Sequence, residues 1–282
     1  MFTLSRPRIV TLREADLPRL TALIDTDPVL HIFLGSRLAQ SGLDPVRLGC
    51  PVLGFERRGR LVAALHSGVN LFLVGNDPEA VDAFVDTIGP RTHTKSIVGR
   101  SDVVPGFQQR VVRRHGASWD HPRSVRPHQP VLRLDTGPLV TPDPRVHRIG
   151  LAEADAYYDA AVRMYTEEVG VSPLDATNSY KTYVHTLIRT GRAFGALADG
   201  RVWFKADLGA VYGGICQVQG VWLEPTLRGR GLAEPAMAQA IVLARPQFPV
   251  VSLYVNSYNE RALHVYRRLG FTQVGELATV LY

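Results

Sequence analysis

Gln217-Val-Gln-Gly-Val-Trp-Leu-Glu-Pro-Thr-Leu-Arg-Gly-Arg-Gly-Leu-Ala233 reads as a strand, a turn and the opening of a helix. Val218, Val221, Trp222 and Leu223 form a β-rich apolar run that Pro225 closes. Leu232, Met237, Ile241 and Leu243 then recur at roughly helical spacing. A glycine-rich turn that opens a helix leaves several backbone N–H groups without carbonyl partners, all at the positive end of the helix dipole. Gly229 and Gly231 carry no side chain to block an approach, and Arg228 and Arg230 add positive charge. This is a cradle for a phosphate or pyrophosphate. Glu234 breaks the G-x-G-x-x-G pattern of a dinucleotide loop, and no Gly-Lys-Ser/Thr follows as a P-loop requires. A basic turn on a solvated surface remains the bland alternative.

Arg228-Gly-Arg-Gly-Leu-Ala233 resembles the R-x-x-G-x-A/G signature of the GNAT superfamily of acyl-CoA-dependent N-acyltransferases. Downstream, Asn259-Glu-Arg-Ala262-Leu-His-Val-Tyr266-Arg-Arg-Leu-Gly270-Phe271 is similar to the second signature of that family, N-x-x-A-x-x-L-Y-x-x-x-G-F, with Val265 in place of the usual Leu. Two motifs in the right order make the match specific over roughly residues 146–282. The residues before that do not carry them.

The chain's 282 residues suffice for two domains of ordinary size, and a hydrophobic content of 45% supports real cores. Cys50 and Cys216 lie far apart, so neither a disulfide framework nor a metal site is expected. The N-terminus lacks a sustained apolar segment, and no apolar run approaches the ~18 residues of a membrane span. The expectation is a cytoplasmic protein with no membrane partner.

Charge is uneven. Residues 1–150 hold 20 Lys and Arg against 14 Asp and Glu, whereas residues 151–282 hold 12 of each. A basic first half admits nucleic acid as a partner. The arginines are not interleaved with aromatics, and no helix-turn-helix or zinc-finger pattern occurs, so this reading is not favoured.

The first half contains its own echo of the second. Gly54-Phe-Glu-Arg-Arg-Gly-Arg60 parallels Gly195-Ala-Leu-Ala-Asp-Gly-Arg201, and Leu12-Arg-Glu-Ala-Asp16 parallels Leu151-Ala-Glu-Ala-Asp155. The expectation is two tandem copies of one fold, the first degenerate. The segment near Ile97-Val-Gly-Arg-Ser-Asp102 is taken as the counterpart of the cradle, and it has one glycine only. Proteins that fuse an uncharacterised N-terminal module to a GNAT domain look similar overall. Six prolines between Pro122 and Pro144 read as a linker with one embedded strand, Val131–Leu134. The boundary is set at residues 140/141: a degenerate GNAT-like module over 1–140 and a GNAT acetyltransferase domain over 141–282.

In the second half, helices are expected over 152–169 and from Thr177 or Asn178 to Arg189, with Gly170 and Gly191 at their ends. Ala193–Ala198 and Arg201–Leu208 around Asp199-Gly200 read as a hairpin with a type I′ turn. A strand over 250–255, a helix over 260–269 and a terminal strand pair over 272–276 and 278–282 complete the order. The fold class is α+β (mixed α/β), and the resemblance implies a mixed, mostly antiparallel central sheet flanked by helices.

The resemblance also implies the chemistry. Acetyl-CoA is the expected cosubstrate, with its pyrophosphate on the amides from Gly229 to Ala233, including Leu232, and its pantetheine beside Val221, Trp222 and Leu223. An amide near Val221 would hold the thioester carbonyl. Asn259 would contact the cofactor, or simply cap its helix. Tyr266 would protonate the leaving thiolate, or be an ordinary core aromatic. The acceptor is an amine on a small molecule or a protein, attacking directly without a covalent enzyme intermediate. Many relatives place a basic Glu on the strand before the cradle. Here Gln217 and Gln219 stand there and can only orient a substrate or a water. Glu167 and Glu168, near the end of a helix expected on the acceptor side, are the candidate bases, ahead of Asp207 and His185. A non-catalytic acyl-CoA-binding regulatory protein is the alternative.

Overall fold

The computed structural model describes residues 7–91, 93–174 and 176–282. The first half runs β1 (Arg8–Thr11), α1 (Leu17–Ile24), α2 (Ile32–Ser41), a short α3 (Pro45–Leu48), β2 (Val52–Arg57), β3 (Arg60–Ser67), β4 (Asn70–Val74), α4 (Pro78–Ile88), β5 (Ser96–Arg100), α5 (Val104–His115) and β6 (Ser124–Leu134). The second runs β7 (His147–Arg148), α6 (Ala154–Val169), α7 (Ser179–Arg189), β8 (Ala193–Ala198), β9 (Arg201–Tyr212), β10 (Ile215–Leu223), α8 (Ala233–Ala244), β11 (Val250–Tyr254), α9 (Glu260–Arg268) and β12 (Thr272–Leu281). Apart from α3, the order of strands and helices is the same in both halves, so the internal echo is a repeat of whole topology.

Local chemistry explains the main boundaries. The two echoing hairpins turn through left-handed pairs, Arg58 and Gly59 (φ 52° and 75°) and Asp199 and Gly200 (φ 50° and 73°), the geometry of a type I′ turn. The Asp77 carboxylate caps α4 by accepting from the N–H groups of Glu79 and Ala80, with Pro78 at the first helical position. Gly170, left-handed at φ 78°, ends α6. Asn178 precedes α7 but makes no side-chain cap, because its own backbone is left-handed at φ 53°.

Contacts divide the chain into two compact units: Met1–Val131 with Tyr254–Tyr258 and Gln273–Tyr282, and Leu132–Leu253 with Asn259–Thr272. Where the sequence places one boundary at 140/141, the contacts divide the chain at several points. In the first unit the strand order is β1-β2-β3-β4-β5-β12, antiparallel except for β4 and β5. The end of the chain therefore closes the sheet of the first half, with Leu277 opposite Arg100 and Leu281 opposite Ser96. Phe55, Leu73, Phe84, Phe107 and Trp119 form its core together with Ala278 and Val280 of β12. In the second unit the order is β7-β8-β9-β10-β11, antiparallel except for β10 and β11. Its core packs Tyr157, Ala161 and Met164 of α6 and Leu187 and Ile188 of α7 with Ala193, Val202 and Trp222.

Three expectations are corrected. The tail is one continuous strand, β12, and not a pair. The proline-rich segment contains an eleven-residue strand, β6, that runs through Pro127 and Pro130. Pro130 lacks an N–H, but its carbonyl still accepts from Val255 N–H at 3.2 Å. The counterpart of the glycine cradle in the first half is also not the 97–102 segment, which is β5 and the turn after it. By topology it is the link from β4 to α4, Gly75-Asn76-Asp77. No helix among the described residues is long and apolar enough to cross a membrane.

Candidate functional site

β10 is paired differently along its length. Ile215, Cys216 and Gln217 lie opposite Val250, Val251 and Ser252 of β11, and the parallel pairing stops there. β10 nevertheless continues to Leu223 against β9 on its other side. Between the pairs Gln219–Asp207 and Trp222–Lys205, two residues, Gly220 and Val221, face the single residue Ala206. This is a β-bulge, with Gly220 at φ 57°. From Val218 onward, β10 thus presents an edge without a strand partner on the β11 side among the described residues.

The edge leads into the glycine turn. Gly229 and Gly231 have φ 76° and 72°, and a Cβ added to either would meet nothing within 4 Å. The turn is therefore open, and glycine is needed there for backbone conformation rather than for packing. Leu232 occupies the N-cap of α8 and supplies no side-chain cap, so the first-turn N–H groups face outward unpaired by a side chain. Pro235 removes one of these donors. Ala233 starts the helix, and Glu234 is drawn into an ion pair with Arg268 at 2.9 Å.

Arg228 and Arg230 divide their roles. The Arg228 guanidinium binds the Glu167 carboxylate at two points and donates through Nε to the Leu223 carbonyl at 3.0 Å. It braces the turn, and its charge is matched. Arg230 is exposed and makes no ion pair among the described residues. Glu167 also accepts from the Trp222 indole N–H at 3.2 Å, and Arg163 lies over the Trp222 ring at 4.9 Å. Hydrogen bonding by Arg228 holds the Glu167 carboxyl below its ordinary range, with Trp222 adding to the effect against partial desolvation. A carboxylate committed in this way is a poor proton acceptor. Glu168 is exposed and has no ion pair among the described residues.

On α9, Asn259 is a true cap, accepting from Ala262 N–H at 3.2 Å. Tyr266 is buried edge-on to Phe271, with ring centroids 5.8 Å apart. Its hydroxyl has no hydrogen-bond partner among the described residues. Burial first, and the Glu168 charge second, push its pKa well above the ordinary phenol value, so the hydroxyl is protonated at neutral pH. Gln217 is buried in β10, while the Gln219 amide is exposed and donates to the Tyr183 hydroxyl. Cys216, beside Gln217, is fully buried, and its thiol is pushed up to about 12 by desolvation. It remains a thiol at neutral pH, unsuited to carrying an acyl group.

Two groupings escape the sequence reading, which weighs Asp207 only as a minor candidate base. Lys205 and Asp207 are buried in β9 and pair at 2.6 Å, with the Tyr157 hydroxyl 2.6 Å from the other carboxylate oxygen. The signal was present: two charges at i and i+2 inside the apolar run Val202-Trp-Phe-Lys-Ala-Asp-Leu208 share one face of a strand. Tyr158, Tyr165, Tyr180 and Tyr183 also gather on α6 and α7, with centroids 5.2–6.3 Å apart. A separate concavity of about 550 Å³ beside α6 includes Asp159, Arg163 and Arg201 but none of the turn residues.

The link Gly75-Asn76-Asp77 in the first unit differs in kind. The Asp77 carboxylate occupies the N–H groups at the start of α4, and Arg57 pairs with both Asp77 and Glu79. The donors that α8 leaves open are filled in α4 by the protein's own acid.

The open edge, bulge and glycine turn sit in a fold of the GNAT type. Residues 154–271 match the family model "Acetyltransferase (GNAT) family". Residues 50–157 match a domain of unknown function (DUF4081). No curated protein matches the chain. Among solved structures, a GCN5-related N-acetyltransferase from Sphaerobacter thermophilus is 16% identical, with 99% of this chain and 96% of that one covered at a TM-score of 0.62. An acetyltransferase of the GNAT family from Colwellia psychrerythraea is 15% identical, with 98% and 99% covered at a TM-score of 0.57. A tandem GNAT protein from the clavulanic acid biosynthesis pathway is 13% identical, with 97% and 98% covered at a TM-score of 0.52. These likenesses establish the fold over the full length of the chain.

Proposed function

We propose that the chain is an acyl-CoA-dependent N-acyltransferase that passes an acetyl group from acetyl-CoA to a primary amine in a ternary complex. The observation that carries this reading is the strand edge of β10, unpaired beyond Gln217 and running into an open turn of two left-handed glycines at an uncapped helix N-terminus. The residues fit the ligand at both ends. The N–H groups from Gly229 to Ala233 and the free Arg230 would hold the pyrophosphate. The edge at Val221, Trp222 and Leu223 would hold the amide-bearing arm, and Asn259 would lie at the cofactor side. Acetyl-CoA supplies an activated acyl carbon on a thiol leaving group.

The Val221 N–H, at the bulge, would donate to the thioester oxygen as negative charge develops there. The amine nitrogen forms the new C–N bond, the C–S bond breaks, and the Tyr266 hydroxyl gives its proton to the departing thiolate. The amine loses its own proton to Glu168, the carboxylate near Tyr266 that has no ion pair among the described residues, directly or through water. Glu167, which the sequence places equally as a base, becomes a brace for Arg228. Gln217 and Gln219 would orient the acceptor. The first unit serves as a non-catalytic module, and the setting is cytoplasmic.

A second reading, acyl-CoA binding without turnover, draws support from Gln217 and Gln219, where a carboxylate would have served as base. Calorimetric titration of acetyl-CoA separates the outcomes, using the wild type and an Arg230→Glu, Gly231→Asp double variant. Binding lost only in the folded variant supports the turn as cofactor site, and CoA release with amines then distinguishes enzyme from binder. Equal binding by the two proteins overturns the assignment of the turn, and absence of binding by the wild type overturns both readings.

A further inference from the structure

We propose that the buried Lys205 ammonium fixes the Gly220–Val221 peptide so that the Val221 N–H faces the open edge of β10, making Lys205 a positioning residue for the oxyanion donor. The inference rests on the reading that a thioester lies along that edge.

Lys205 is completely buried, and its Nζ donates to Asp207 Oδ2 at 2.6 Å and to the Gly220 carbonyl at 2.9 Å. Asp207 is held in turn by the buried Tyr157 hydroxyl, which also meets the carbonyls of Phe194 and Ala206 at 3.2 and 3.1 Å. A buried ion pair is seldom the most stable filling for its space, since apolar residues of similar volume commonly do as well or better. What this pair does that apolar residues cannot is to grip one backbone carbonyl.

A trans peptide is planar, with its C=O and N–H pointing in opposite directions. Holding the Gly220 oxygen on the Lys205 side therefore sends the Val221 N–H to the opposite side. Val221 lies in the bulge, without a register partner in β9, and beyond the last pair of β10 with β11. On this inference its N–H faces the open edge. A charged donor on the carbonyl also polarises the peptide and strengthens its N–H as a donor.

Gly220 is what allows the approach. A Cβ there would stand 2.9 Å from both Lys205 Nζ and Asp207 Oδ2 and 3.2 Å from Met164 Cε, at a φ of 57° that side chains rarely adopt. With any other residue, either these side-chain ends or the peptide itself must shift, so the contact between them is disturbed.

The test is isotope-edited infrared spectroscopy of acetyl-CoA labelled with ¹³C at the thioester carbonyl, alongside calorimetry with CoA lacking the acetyl group. The variant is Lys205→Met, Asp207→Leu, which removes both charges so that neither is left buried alone. In the wild type the carbonyl band shifts on binding. In the double variant CoA affinity stays within about twofold, the affinity of a ligand whose pyrophosphate and arm contacts are untouched, while the band returns to its position in buffer. Gly220→Ala, which keeps both charges but disturbs the contact of Lys205 with the peptide, loses the shift as well and serves should the double variant not fold. A shift retained in either folded variant, or a wild type that binds CoA without shifting the band, overturns the inference alone. A wild type that does not bind CoA overturns the cofactor reading and the inference together.

Discussion

Arg228 grips Glu167 at two points, with Nη1 2.6 Å from Oε1 and Nη2 2.8 Å from Oε2. The pair joins the end of α6 to the turn before α8, and it separates two neighbouring glutamates that look equivalent in sequence.

Glu167→Gln is expected to keep most of the acetyl transfer, and Glu168→Gln to lose about 10²-fold or more, the scale of a missing general base. CoA release with a productive amine reads both. The Glu167 carboxyl is depressed by Arg228, so its contribution to stability is present above the unfolded carboxyl pKa of about 4.3 and is lost as pH falls through the folded value. Both partners are more than a third exposed. Solvent screening limits the pair to about 0.2–1 kcal/mol, seen as a small loss in urea midpoint for Glu167→Gln at pH 7.

Tyr266→Phe removes a hydroxyl that bonds to nothing else among the described residues. Melting temperature and acetyl-CoA affinity should hardly change, while turnover falls about 10²–10⁴-fold. A large drop in stability with turnover intact would assign the residue to the core alone.

His31 and His66 are buried and neutral in the first unit. Desolvation is the chief cause that lowers both pKa values, against hydrogen bonds to the carbonyls of Ile24 and Asn70. A carbonyl can only accept, so both rings carry the proton on Nδ1, leaving His66 Nε2 to accept from the Cys50 thiol at 3.3 Å. The unfolded imidazoles take up protons below about pH 6.5, before the folded ones do. Stability should therefore fall as pH drops from 7.5 toward the folded pKa values. Thermal melts across that range should show a shallower slope in the double variant His31→Gln, His66→Gln.

Deleting residues 277–282 removes the register from Leu277 to Leu281 that covers β5, together with Ala278 and Val280 of the first core. The expected result is loss of amide protection in β5, some 180 positions away in sequence, read by hydrogen exchange. Protection that survives the deletion would mean that β12 is dispensable to the first unit.

Much of the second unit was legible because its signals are local. Asp199-Gly200 fixes a hairpin through left-handed backbone, Gly170 ends a helix, and the Arg228–Ala233 and Asn259–Phe271 motifs are runs of contiguous residues. What stayed hidden depends on pairing between distant segments. Nothing in Thr272–Leu281 says that it is one strand or that it joins β5. Proline rules demote 122–134, yet a strand tolerates proline where only the carbonyl is used. The bond from Lys205 to Gly220 requires the register of β9 on β10, and the committed state of Glu167 requires the packing of Arg228. The misplaced counterpart of the cradle has the same origin, since glycine count pointed to 97–102 while element order points to Gly75–Asp77.

The position of β12 also sets a timetable. A chain emerging from the ribosome at about 5–20 residues per second exposes β5 for roughly 10–40 s before its partner strand is made. The first unit, most of which is translated first, cannot complete its sheet until β12 has been made. An uncovered strand edge over that interval invites pairing with other chains, and overproduction at high ribosome density should therefore favour aggregates seeded by the amino-terminal half.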